Sequence, residues 1–285
     1  MPRSTSSEGA VVVELELVRG RVDTDGEDIY WEMAQTGADD DRPVVVLSHG
    51  AGGTHAVWYQ QVPVLGQYFR VVTWDSRGFG NSTNHNDLPS AEAAADDLTA
   101  VLDELRISQA HLVGQSMGGW HISAFAVGCP QRVLSMTYAD TVGGLWTSEL
   151  KDAFAEYQAQ GGLFSGREAV GGHRALWSGT AERDCAHAFL YQALGSFHSP
   201  PVDKLADTIA WSVDHSQIGD LGVPVLFVAG THDEIFPSRL LAASSQLVPN
   251  SRFVEIPAAG HSPYFEQPEA WNDAVLDFLG SSLRR

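Results

Sequence analysis

The chain has 285 residues, 44% of them hydrophobic, which suits one large α/β domain or a domain with an inserted subdomain. Seventeen Lys and Arg against 36 Asp and Glu give a formal net charge of −19. So acidic a surface argues against nucleic acid and against an anionic membrane as partners, because both need a positive patch. Two cysteines, Cys129 and Cys185, exclude a disulfide scaffold, no C-x-x-C metal spacing occurs, and ordinary reduced thiols are expected. Met1 to Gly9 is polar and Ser-rich, without the apolar core of a signal peptide, and no apolar run approaches the length of a membrane helix. The expected location is the cytoplasm.

In chain order, Val11 to Val22 reads as a strand, and Ile29 to Ala34 as its hairpin partner after the turn-forming Asp23-Thr24-Asp25-Gly26. Val44 to Leu47 is a continuous apolar run of the kind found in strands buried on both faces. Phe69 to Trp74 is a strand, and Ser90 to Leu105 a helix with Ser90 as N-cap. His111 to Val113 is a short strand. Gly118 to Val127 is a helix stopped by Gly128 and Pro130, and Val133 to Ala139 a strand. Further on, Pro224 to Ala229 and Arg252 to Ile256 read as strands, with helices over Ser238 to Leu247 and Pro268 to Leu279. This alternation predicts an α/β fold with a doubly wound, mostly parallel sheet.

From about Thr141 to Ile218 the alternation stops. Helical patterns run over Ser148 to Gln158, Gly166 to Leu176, Ala181 to Leu194 and Pro201 to Ser212, with no convincing strand. The expected organisation is a core of residues 1–140 and 219–285 with a helical cap of residues 141–218. No internal repeat is visible.

Gly114-Gln115-Ser116-Met117-Gly118-Gly119 is G-x-S-x-G between a predicted strand and a predicted helix. Glycines must flank the serine in so tight a turn, and the turn presents the hydroxyl at the carboxyl edge of the sheet, where the helix dipole favours developing negative charge. Ser116 is the candidate nucleophile. His49-Gly50-Ala51-Gly52-Gly53 follows the first buried strand, and small residues there let backbone N–H groups approach a carbonyl oxygen. The N–H groups of Ala51 and Met117 are the candidate oxyanion hole. Asp233 and His261 follow the last two strands and share that edge with Ser116, in the chain order Ser, Asp, His. Histidine can take and return a proton near neutral pH, and a buried carboxylate fixes its tautomer.

Other residues compete for these roles. Asp140 also ends a strand at the catalytic edge and is the rival acid. His232 neighbours Asp233, His49 is expected to buttress the oxyanion loop, and His173, His187, His198 and His215 fall in the insertion as surface or pocket-lining groups. Asp75 is expected to form a structural loop with Arg77. Trp120 and the aromatic residues Trp146, Phe164, Trp177, Phe189 and Trp211 are expected to line an apolar acyl or aryl pocket or to pack the cap's own core. Trp120, Trp146, Trp177 and Trp211 are taken as the substrate-binding set.

These segments, with Asp75-Ser76-Arg77-Gly78-Phe79-Gly80, resemble the α/β-hydrolase superfamily over nearly the whole stretch from Val11 to Leu279 outside the insertion. The resemblance is strongest to small bacterial carboxylesterases, lactonases and carbon–carbon bond hydrolases, and Ser116 stands where the dehalogenase and epoxide hydrolase branches have aspartate. It implies the triad Ser116, His261 and Asp233, a helical cap over the site, and a small-molecule substrate. The expected reaction is hydrolysis of a carboxylic ester of a small to medium apolar or aryl substrate through an acyl-enzyme, with no metal or organic cofactor. A lactonase or carbon–carbon bond hydrolase with the same triad, a cofactor-independent oxygenase and a receptor without turnover are the rivals, and a homo-oligomer is left open.

Overall fold

The computed structural model describes residues 13–85, 89–160, 169–196 and 205–282. Among them, the strands β1 (Glu16–Thr24), β2 (Glu27–Gln35), β3 (Val44–Ser48), β4 (Arg70–Trp74), β5 (Ala110–Gln115), β6 (Val133–Ala139), β7 (Val225–Gly230) and β8 (Ser251–Ile256) form one sheet. Its order is β1-β2-β4-β3-β5-β6-β7-β8. β1–β2 and β2–β4 pair antiparallel, and every other pair is parallel. The sheet is therefore mostly parallel, as the alternation predicted. The first hairpin turns on Asp25 and Gly26 alone, both at positive φ (55° and 78°), the geometry that an Asp-Gly pair favours. Thr24 belongs to β1, and the part of the expected first strand before residue 13 lies outside the described residues.

The helices flank this sheet. Before β6 come α1 (Val62–Leu65), α2 (Ala91–Glu104) and α3 (Gly118–Gly128). Ser90 caps α2 as expected, its hydroxyl accepting the Ala93 N–H at 3.0 Å. After β7 come α9 (Ser238–Ser245), α10 (Pro263–Glu266) and α11 (Pro268–Ser282). Alternate residues of β3 reach opposite faces. Val44 and Val46 meet Leu98 of α2 and Ile122 and Phe125 of α3. Val45 and Leu47 meet Leu65 of α1 and Trp271 and Phe278 of α11. Each such apolar side chain contributes about 1.5–3 kcal/mol by leaving water, which is why the uninterrupted apolar run 44–47 becomes a central strand.

Between β6 and β7 lie α4 (Ser148–Ala159), α5 (Ser178–Arg183), α6 (Cys185–Leu194), α7 (Ala206–Ala210) and α8 (His215–Gly219). The expected helix Ala181 to Leu194 is broken at Asp184, whose extended backbone ends α5 and whose carboxylate accepts the His187 N–H to start α6. The expected helix Gly166 to Leu176 is not formed over residues 169–176, and its first residues lie outside the described set, as does the start of Pro201 to Ser212. Unforeseen α8 opens on a capping box of Asp214 and Gln217 and buries Ile218 in the core under α3. Among the described residues no helix is long and apolar enough to cross a membrane.

The strand order reverses direction at β3, with β4 on one side and β5 on the other. The loops leaving the carboxyl ends of β3 and β5 therefore diverge and open a crevice at that edge of the sheet, the place where such sheets bind ligands.

Candidate active site

Ser116 stands in that crevice between β5 and α3 with φ 49°, a left-handed conformation that costs a residue with a side chain about 1–3 kcal/mol. The surroundings enforce it. A Cβ on Gly114 would lie 2.4 Å from the Gly118 carbonyl oxygen, and one on Gly118 would lie 2.2 Å from the Ser48 carbonyl oxygen. The turn closes only with glycine at both positions, and the Ser116 N–H is tied to the Ala139 carbonyl at 3.0 Å.

The loops after β7 and β8 bring Asp233 and His261 to the serine. The Ser116 hydroxyl lies 2.8 Å from His261 Nε2, and His261 Nδ1 lies 3.0 Å from Asp233 Oδ2. Because the carboxylate can only accept, Nδ1–H donates to it and Nε2 is left to accept the serine proton. Asp233 Oδ1 accepts the N–H groups of Ile235 (2.7 Å) and Phe236 (3.0 Å), and the Gln115 side-chain amide donates to the His261 carbonyl at 2.9 Å. All three members are buried.

The loop after β3 closes the other side. His49 is fully buried, with Nδ1–H donating to the Gly50 carbonyl at 2.8 Å and Nε2 accepting the Ser76 N–H at 3.1 Å. Burial holds its pKa below the ordinary histidine value, so it stays a neutral buttress. Among the described residues, no hydrogen bond uses the backbone N–H of Ala51 or of Met117. Both donors are left without a protein acceptor among those residues. A cavity of about 50 Å³ lies against Ser116 and His261, walled by Gly50, Ala51, Gly52 and Gly53 on one side and by His173, Ala175, Tyr191 and Gly195 of the β6–β7 segment on the other. Among the described residues that line it there is no Lys, Arg, Asp or Glu. Among the described residues, no group of three or more His, Cys, Asp or Glu side chains is arranged to hold a metal ion.

Asp140 does not reach His261. It is fully buried, one oxygen accepts the Gly230 N–H at 2.8 Å, and the other has no hydrogen-bond partner. Burial, and next the charge of Asp233, push its carboxyl well above the usual carboxylate range. Asp75 and Arg77 share a structural loop, as expected, but bind different partners. Asp75 accepts the N–H groups of His55 (2.6 Å) and Asn81 (2.8 Å), while Arg77 forks onto Asp97 at 2.8 and 2.6 Å. Arg77 and Asp97 are buried together and match each other's planar geometry, which Asp75 in the same tight loop could not do.

The four expected substrate tryptophans are not among the residues that line the cavity. Trp120 donates its Nε1–H to the Trp211 carbonyl (3.1 Å) and packs on Trp146 and Phe236. Trp146 continues that cluster to Phe154, and Trp211 covers Gly144. Trp177 lies flat on the exposed His232, centroids 4.7 Å apart and planes at 6°. Phe189 is half exposed on α6, and Phe164 and His198 lie outside the described residues. His187 and His215 are engaged with the Phe265 carbonyl and the Ser244 hydroxyl, so of the histidines in the insertion only His173 is found among the lining residues described. Tyr191, Ala175 and Gly195 escaped the sequence reading. Two of them are too small to carry a compositional signal, and Tyr191 sits inside an ordinary helical pattern.

The model of the Alpha/beta hydrolase family matches residues 45–274. The chain is 27% identical over 260 residues to 3-oxoadipate enol-lactonase 1 of Acinetobacter baylyi, covering 87% of this chain and 92% of that protein. It is 27% identical over 258 residues to a pimeloyl-[acyl-carrier protein] methyl ester esterase of Aeromonas hydrophila, covering 84% and 96%. Among solved structures, a thermophilic esterase from Thermogutta terrifontis superposes with a TM-score of 0.76 at 27% identity, over 93% of this chain and 99% of that one.

Proposed function

The chain belongs to the alpha/beta hydrolase family and is a hydrolase, and from that premise we propose that it cleaves a small, uncharged carboxylic ester or lactone through an acyl-enzyme on Ser116. The observation that carries this reading is the unbroken relay from the Ser116 hydroxyl through His261 to Asp233, at 2.8 and 3.0 Å. Ser116 Oγ attacks the ester carbonyl as its proton passes to His261 Nε2, and Asp233 stabilises the resulting imidazolium. The N–H groups of Ala51 and Met117 receive the oxyanion, the second helped by the amino end of α3. The alkoxide leaves with the proton from His261. Water, deprotonated by the same nitrogen, then releases the acid and restores Ser116. In a lactone the two products remain one molecule.

The described lining supports an uncharged substrate. No described lining residue is cationic, so none of them would offset the desolvation of a substrate carboxylate, and the net charge of −19 repels anions at a distance. Room of about 50 Å³ beside the serine suits an acyl group of a few heavy atoms. The test is a series of p-nitrophenyl esters from acetate to decanoate, with a ring-fission dienoate alongside and a fluorophosphonate probe for labelling. Short esters should be turned over fastest, the probe should label the wild type, and Ser116→Ala should lose both. Labelling that persists in Ser116→Ala, or turnover of the dienoate without any ester, would overturn the reading.

A further inference from the structure

We propose that Glu266 and Trp177 are positioning residues of a closed clasp that fastens the β6–β7 segment to the two loops carrying Asp233 and His261, and so holds that pair in register with Ser116. The inference rests on the proposed use of these three residues. Five contacts close the clasp. Glu266 Oε1 accepts the Trp177 N–H at 2.8 Å and the Thr180 hydroxyl at 2.6 Å. Its Oε2 accepts the N–H of Gly260, next to His261, at 2.6 Å. The His232 N–H donates to the Ala259 carbonyl at 2.8 Å, joining the loop of Asp233 to the loop of His261. The Trp177 ring then stacks on His232, the residue before Asp233, and returns the circuit to its start.

The fit leaves no slack. A Cβ on Gly260 would lie 2.6 Å from the Trp177 nitrogen, so the segment rests on the backbone beside His261 with nothing between. The Arg183 guanidinium lies over the Trp177 ring at 5.4 Å, a cation–π contact that favours the flat pose. Glu266 is buried, and burial pushes its carboxyl up to about 7 against the hydrogen bonds from Thr180, Trp177 and Gly260 that pull it down. Simple packing would be met by an apolar residue without that cost. Only a carboxylate gives two oxygens that accept three donors from two separate segments. Glutamine keeps the shape and one accepting oxygen, but turns the other into a donor facing a donor.

The test uses the whole chain and two readouts. The first is kcat and KM on p-nitrophenyl acetate. The second is the low-field proton resonance of His261 Nδ1–H in NMR, identified by its absence in His261→Ala, which reports the Asp233 hydrogen bond whether or not the ester is a substrate. Glu266→Gln and Trp177→Ala should lower kcat by about tenfold to a hundredfold, the scale expected when a catalytic group is displaced by less than an ångström. KM should stay within about twofold, and the resonance should shift or broaden. Trp177→Phe, which can still stack on His232, should restore both readouts to within about threefold. Should Glu266→Gln fail to fold, Thr180→Val removes one bond of the clasp and should give a smaller change of the same kind. A resonance unmoved in Glu266→Gln and Trp177→Ala, or a change confined to KM, overturns the clasp. A shifted resonance in a protein whose wild type hydrolyses no ester keeps the clasp and rejects the proposed substrate.

Discussion

The loops at the carboxyl edge of the sheet and the segment between β6 and β7 both wall the cavity at Ser116, but they are held by different forces. In the edge loops, backbone geometry fixes each side chain: the left-handed Ser116, the glycines that cannot bear a Cβ, and Asp233 Oδ1 bound by two N–H groups. In the segment, position comes from packing, with Trp146 in an aromatic cluster and Trp177 laid on His232. Substitutions in the first region should therefore strike the rate, and those in the second, apart from the clasp residues Trp177 and Thr180, should strike stability first. The largest expected effect is Asp233→Asn, which frees His261 to take the wrong tautomer and should lower kcat by about 10⁴ in stopped-flow or steady-state assays. A loss below about tenfold would place the acid elsewhere and end the comparison.

A second edge substitution sharpens it. A Cβ on Gly50 would lie 2.2 Å from Gln115 Oε1 and 2.9 Å from Ser116 Cβ. The Gln115 amide can swing aside, but the Ser116 Cβ is fixed by the turn, so the loop carrying Ala51 must retreat. Gly50→Ala should cost about 10²–10³ in kcat, the scale of losing one oxyanion donor, with the denaturation midpoint little changed. A fall in stability with an unchanged rate per folded molecule would show that the loop's backbone does not serve the reaction.

The same difference explains what was readable in the sequence. The elbow at Ser116 was legible because a tight turn demands glycines at fixed offsets and a strand and helix beside them, so chemistry and spacing coincide. Asp233 and His261 were legible as polar residues at strand ends on one edge. The pocket tryptophans were not. A Trp at helical spacing looks the same whether it faces a cavity or a neighbour, and Trp120, Trp146 and Phe236 found one another. Nor did Glu266 stand out, five residues after His261. Its role depends on Trp177 and Thr180, which lie 89 and 86 residues away in the chain and meet it only in the folded protein.

In the segment, Trp146→Ala is the informative change. Trp146 is half-buried and packs on Trp120, Phe154 and Phe236. Removing it should cost about 2 kcal/mol, less than the about 3–5 kcal/mol of a fully buried aromatic residue, measured by urea unfolding. The chain-length profile of ester hydrolysis should keep its wild-type shape, because the ring is not among the lining residues. A changed profile with intact stability would return Trp146 to the pocket and erase the contrast between the two regions.

The smallest effect is expected at Asp140, and it separates edge position from edge function. Asp140 ends β6 as Asp233 follows β7, and both are buried, yet only Asp233 bonds His261. Asp140 is faced by Asp233 from the loop after β7, by Glu266 and Tyr264 from α10 and by Tyr191 from α6. Burial and the Asp233 charge raise its carboxyl, so it is protonated where its unfolded counterpart is already ionised. A carboxyl raised in this way favours the folded state while it keeps its proton, and that contribution falls away as pH rises from the unfolded value through the folded one. Asparagine copies the neutral form and can still accept the Gly230 N–H. Asp140→Asn should therefore keep kcat at pH 7 within about threefold, below about 0.7 kcal/mol by the conversion of rates to free energy. Its stability relative to the wild type should improve steadily from pH 5 to pH 9 in denaturant titrations, because only the wild type must take a proton back onto this carboxyl in order to fold. A kcat loss matching that of Asp233→Asn would make Asp140 a working member of the site, and a stability difference that does not vary with pH would mean that its carboxyl is ionised throughout.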